Sequence, residues 1–204
     1  MARHTDTREK LVRAAAELIW QSSYYATGVD AICKACEVQK GCFYHHFESK
    51  EALTLAALEM IWADYKQLMD ESFSPVNSPV ARFEKFLAAG FSGQQAAKKK
   101  YGIVPGCPIF GLGSEIGTES PNIRKRVDEA LSTMKKYFVS AIREGQADGT
   151  IAPGDPARLA SAVLSLSEGA TTMARIQNDL EPMKAMAGAV IRLLCASESF
   201  RKAA

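Results

Sequence analysis

The segment Val38 to Leu53, VQKGCFYHHFESKEAL, gathers side chains that recognise anions and base edges. Lys40 can give a charge-assisted hydrogen bond to a phosphate or to a purine acceptor. Gly41 carries no side chain, so the backbone beside it can lie against another surface. Tyr44 offers a hydroxyl to phosphate and an apolar ring to a thymine methyl. His45 and His46 can donate to phosphate oxygens. Lys50 opens a further helical pattern, where backbone N–H groups also favour an anion. This is binding chemistry directed at a polyanion.

The cysteines are the other reactive candidates: Cys33, Cys36, Cys42, Cys107 and Cys195. Cys33 and Cys36 form a CxxC, and Cys42 with His45 or His46 would complete the four ligands zinc needs. The spacing matches no common finger, and the pair lies inside a helical pattern, so the expected role is that of small core residues. No metal or cofactor is expected. A thiol oxidoreductase would place CxxC at the start of a helix after a strand, and no strand pattern precedes it. Cys107, in VPGCPIFGLGSE, sits in a Pro/Gly-flanked loop before a helix. A thiol there feels the positive end of the helix dipole, which favours the thiolate. Lys98, Lys99 and Lys100 lie nearby in sequence. The thiolate is the species that oxidants and electrophiles attack.

The elements that must position these groups all read as helices. Ser78-Pro79, Ser120-Pro121 and Asp155-Pro156 each put a capping oxygen before a proline at the first helical position, and Thr27 to Asp30 reads as a capping box. Leu11, Ala15, Leu18 and Ile19 share one face. Val127, Leu131, Met134, Phe138 and Ala141 step by 4-3-4-3, as do Leu159, Val163, Leu166, Ala170 and Met173. Met183, Ala187, Val190 and Leu194 step by 4-3-4. Such stripes pack helices on helices. The spacing predicts nine helices, at 7–22, 28–35, 39–45, 50–73, 79–99, 107–117, 121–147, 156–176 and 181–197. The fold expected is all-α. A helix-turn-helix DNA-binding domain over 1–48 precedes a larger helical domain over 49–204. Phe43 and Phe47, four apart, belong to the small domain's core with Ile32, Val38 and Leu18.

Bulk properties exclude some partners. With 25 Lys/Arg against 23 Asp/Glu the net charge is only +2, so a DNA surface must come from placement of charge rather than excess. No apolar run reaches the ~18–20 residues of a membrane span. The N-terminus MARHTDTREK has no signal-peptide core, and a cytoplasmic location is expected. A helical adaptor that binds no DNA is the other alternative; it leaves the ordered set from Lys40 to Lys50 unexplained.

Residues Thr7 to Leu53 carry TREKLVRAAAELI, YYATGVDAI and EVQKGCFYHHFESKEAL, and together these resemble the DNA-binding domain of TetR-family transcriptional regulators. The resemblance implies an all-helical homodimer that binds a double-stranded palindromic operator, acts as a repressor, and is released when a ligand or a modification reshapes its C-terminal domain. It places Lys40, Gly41 and Tyr44 at base- and phosphate-facing positions, with Gln39 and Cys42 on the same helix. It places Thr27 (beside Gly28), His45, His46 and Lys50 at phosphate-facing ones. Three residues depart from the family pattern: Cys42 replaces a hydroxyl residue, Glu37 stands at the usual turn glycine, and Gln39 replaces a serine cap. The last two helices resemble the family's dimerisation pair, with Leu159, Val163, Leu166, Ala170, Met183, Ala187, Val190 and Leu194 at the seam. Gly-Cys before the helix at 107 resembles the NemR-like, electrophile-responsive branch. Two release signals are therefore expected as alternatives. One is an apolar or aromatic small molecule bound among Trp62, Tyr65, Phe86, Phe110, Tyr137, Phe138 and Met173. The other is modification of Cys107.

Overall fold

A computed structural model describes the backbone of residues 2–195 and the side chains of residues 7–195. Among the described residues there are nine α-helices and no strand: α1 (Ala2–Gln21), α2 (Val29–Ala35), α3 (Lys40–His46), α4 (Lys50–Ser72), α5 (Pro79–Tyr101), α6 (Pro108–Ile116), α7 (Pro121–Ala147), α8 (Pro156–Gln177) and α9 (Glu181–Cys195). The boundaries follow the punctuation of the sequence. Asp155 Oδ1 accepts from the N–H groups of Ala157 and Arg158 at 2.8 and 3.3 Å, and Ser120 Oγ accepts from Ile123 N–H at 3.2 Å. Two expected caps do not form. Ser78 precedes Pro79 without a side-chain capping bond. The capping box is absent because Gly28, not Thr27, is the N-cap of α2. Positions 196 and 197 of the expected ninth helix lie outside the described residues.

By its internal contacts the chain divides into two compact units. One comprises Met1–Tyr65 with Cys107–Ala130, and the other Lys66–Gly106 with Leu131–Ala204. The first unit buries Leu11, Ala15, Ile32, Phe43 and Leu53 completely, with Phe47 beside them and Val38 and Leu18 packed against the cluster. The second holds an aromatic cluster in which Phe73 lies 5.3 Å from Phe83 and 5.4 Å from Phe138, ring centre to ring centre. No helix among the described residues is long and apolar enough to cross a membrane.

Candidate nucleic-acid interface

The geometry starts at the turn between α2 and α3. Glu37 adopts φ 57°, so the position where a glycine was expected does need the left-handed region. Its N–H bonds to Lys34 O at 3.2 Å, and Val38 N–H to Cys33 O at 3.0 Å. This 5→2 and 6→1 pair is a Schellman closure, which ends α2 sharply and turns the chain into α3. Phe43 then anchors α3, fully buried with its ring 6.2 Å from Phe47. Gln39 N-caps α3 without a side-chain bond, and Ser49 Oγ accepts from Ala52 N–H at 3.0 Å to open α4.

With Phe43 turned inward, Lys40, Gly41, Cys42, Tyr44 and His45 are exposed and His46 is half-buried. Tyr44 stands edge-on to Phe43 at 5.0 Å, and His45 edge-on to His46 at 5.3 Å. A Cβ at Gly41 or at Gly28 would meet no atom within 4 Å. Neither glycine has a positive φ, so nothing inside the protein requires glycine at either place.

Two of the expected contact residues make bonds within the α1–α2 turn. Thr27 is buried, its hydroxyl 3.1 Å from Ser22 Oγ. Lys50 donates to Tyr24 O at 2.9 Å and Thr27 O at 3.2 Å, with its ammonium 3.8 Å from the centre of the Tyr24 ring. Burial pushes its pKa down. Both residues tie the α1–α2 turn together, buried Thr27 from within and half-buried Lys50 from its edge. The same turn is held by α6 and the turn after it: Glu115 accepts from Tyr24 N–H at 2.8 Å and Tyr25 N–H at 3.0 Å, and Glu119 accepts from Tyr25 OH. That hydrogen bond raises the Tyr25 phenol to about 12. Sequence reading missed this latch, because nothing in GLGSEIGTES announces a partner some ninety residues away.

The cysteines of this unit divide by environment. Cys33 is buried and Cys36 donates to Lys10 O at 3.3 Å. Burial raises both thiols. Cys42 is exposed on α3. No group of three or more His, Cys, Asp or Glu among the described residues is arranged to hold a metal. Cys107 is buried, N-caps α6, and accepts from Phe110 N–H at 3.5 Å.

Comparison with known proteins decides what this surface belongs to. Residues 11–57 match the model for bacterial regulatory proteins of the tetR family, and residues 79–190 match the tetracyclin repressor-like C-terminal domain. The chain belongs to the TetR family. It is a DNA-binding transcriptional regulator of the helix-turn-helix type. It is 32% identical over 177 residues to the transcriptional regulator AcuR of Cereibacter sphaeroides, covering 86% of this chain and 79% of that one. It is 28% identical to the transcriptional repressor NemR of Escherichia coli K12 over 187 residues, 90% and 92% of the two chains. The crystal structure of a regulatory protein TetR from Rhodobacter sphaeroides superposes with a TM-score of 0.82 at 29% identity, over 91% of this chain and 97% of that one. The reduced form of E. coli NemR superposes at 0.80 and 27%, over 95% and 99%.

The residues expected to line an effector cavity have these surroundings within their own units. In the first unit, Trp62 lies beside the Arg126 guanidinium at 5.7 Å, Tyr65 is half-buried and Phe110 is 36% exposed. In the second, Phe86 and Phe138 are closed core, Tyr137 OH bonds to Asp70, and Met173 is exposed. Aromatic rings at helical spacing pack on one another when no void separates them, and Phe86 and Phe138 do so at 5.3 Å. The seam residues also divide. Val163, Met183, Val190 and Leu194 are buried in the regulator's own fold, Leu159, Ala170 and Ala187 are half-buried, and Leu166 is exposed. The open face of α8 and α9 is instead a shallow groove of about 370 Å³ that includes Leu166, Gly169, Ala170, Ala185 and Ala189, with Met173 and Ile176 exposed further along α8.

Proposed function

We propose that the regulator is a homodimeric, cytoplasmic repressor. It binds a palindromic operator through α3 and leaves it when Cys107 is modified. The observation that carries DNA reading is the pair Gly28 and Gly41, both without internal need for glycine, flanking exposed Lys40 and Tyr44. Lys40, Gly41 and Tyr44 meet base edges and phosphates; Gln39, Cys42, His45 and His46 border that contact. One such helix spans too few base pairs to find a site in a genome, and a second copy supplies the other half-site. The small-residue groove of α8 and α9 is the seam on which that copy seats.

Release through Cys107 rests on its place at the start of α6, the helix whose Glu115 holds the α1–α2 turn. An adduct on the sulfur replaces its proton with a bulky carbon substituent, crowding the bond from Phe110 N–H and adding volume at a buried helix start. α6 must then shift, and the turn that leads into α2 shifts with it. The resemblance to NemR, a repressor crystallised in a reduced form, supports the same reading.

The test is fluorescence anisotropy on the duplex upstream of the regulator's own gene, before and after brief treatment with an α,β-unsaturated carbonyl compound. The expected result is tight binding that treatment abolishes in the wild type and not in Cys107→Ser. Loss of binding in both assigns the signal to another thiol, Cys42 first. Insensitivity in the wild type assigns it to an apolar ligand.

A further inference from the structure

Asp30, in the first turn of α2, holds Lys40, the first residue of α3: Nζ lies 2.8 Å from Oδ1, with the two side chains 54% (Lys40) and 77% (Asp30) exposed. A carboxylate on a surface that must approach a polyanion opposes binding. An acid in the first turn of α2 also favours the helix dipole, but that effect needs no contact with Lys40. What distinguishes aspartate here is its grip on the first cation of α3. We infer that Asp30 is a specificity-determining residue: it tethers Lys40 so that the ammonium reads the groove and does not seize the nearest phosphate.

This rests on the proposed role of α3 in DNA reading. An ammonium has three donors. One is occupied by Asp30, and the others remain for acceptors such as guanine O6 and N7 in the groove. Without the tether, the flexible lysine stem swings to any phosphate oxygen, a contact that carries no sequence information. Specific interfaces often use such an unfavourable group against the wrong partner. Both residues belong to one compact unit and both face solvent, so changing either leaves the core around Phe43 intact.

The test begins by selecting an operator from a randomised duplex library with the wild-type protein. Binding of wild type, Asp30→Asn, Lys40→Ala and the double variant is then measured on that operator and on its scrambled sequence across salt concentrations. Asp30→Asn is expected to tighten binding to scrambled DNA about threefold or more and to leave the operator affinity within about twofold. The salt slope on scrambled DNA should steepen by about 0.9, one more phosphate neutralised. In the Lys40→Ala background, the Asp30 change should move both duplexes by one common factor. Asp30→Ser, which keeps an oxygen near the start of α2, repeats the result should Asn disturb the helix. Equal tightening on both duplexes with Lys40 present, or no change on either, overturns the inference while leaving the DNA-binding reading intact. A wild-type protein that enriches no sequence overturns both.

Discussion

Gly41 lies in the first turn of α3, with open space where its Cβ would be. Alanine in a helix is favoured over glycine by up to about 1 kcal/mol. Gly41→Ala is therefore expected to raise the melting temperature of the free protein slightly and to weaken operator binding at least about tenfold, the opposed signs marking a residue chosen for its partner. Glu37 shows the converse. Its φ of 57° costs a non-glycine residue about 1–2 kcal/mol, part of which glycine returns as chain entropy. Glu37→Gly should stabilise the protein by roughly 0.5–1 kcal/mol in thermal unfolding, because the residue is exposed and loses no packing.

At the scale of the elements, α6 holds the α1–α2 turn through the Glu115 carboxylate. Glu115→Ala leaves two backbone donors without their charged acceptor, a loss of roughly 1–2 kcal/mol. Hydrogen exchange at the Tyr24 and Tyr25 amides should accelerate, with α3 amides less affected. In the other unit, α5 and α7 are joined by Arg82, whose buried guanidinium bonds to Asn77 O at 3.0 Å and meets Glu144 at 2.6 Å. The bond to Arg82 holds the Glu144 carboxyl below its usual value of 4.5. A depressed folded pKa contributes stability above the unfolded value and loses it as pH falls through the folded one. Glu144→Gln should thus melt about 2–4 °C lower near neutral pH, consistent with ~1 kcal/mol for a half-exposed partner. That difference should vanish once the pH falls below the folded pKa of Glu144.

For the molecule as a whole, operator reading needs two recognition helices about 34–36 Å apart to meet successive major grooves. The groove that includes Leu166, Gly169, Ala170, Ala185 and Ala189 is lined largely by small side chains, which allow close helix approach. Ala170→Arg places a charge and a long stem there. It should convert the proposed dimer to a monomer in analytical ultracentrifugation and reduce operator affinity by a hundredfold or more, while far-ultraviolet circular dichroism stays unchanged.

Helices and their order were legible in the sequence because capping, proline position and 3.6-residue periodicity are local. The bounds expected for α2 to α8 match those found to within two residues. The outward set Lys40, Gly41, Tyr44 and His45 was legible for the same reason: a two-turn helix anchored by Phe43 leaves little choice of face. Tertiary structure alone decided the rest. Thr27 and Lys50 carry types suited to phosphate, and only the folded turn shows that their hydroxyl and ammonium also bond to Ser22 and to the Tyr24 and Thr27 carbonyls. A stripe such as Met183, Val190 and Leu194 states that a helix has an apolar face, and only the neighbouring helices determine whether that face meets its own chain or a second copy. The latch from Glu115 to the Tyr24 and Tyr25 amides joins positions about ninety residues apart. Its acceptor is an ordinary surface glutamate in sequence, and its donors are backbone groups that every residue but proline shares. Only the folded chain could bring them together.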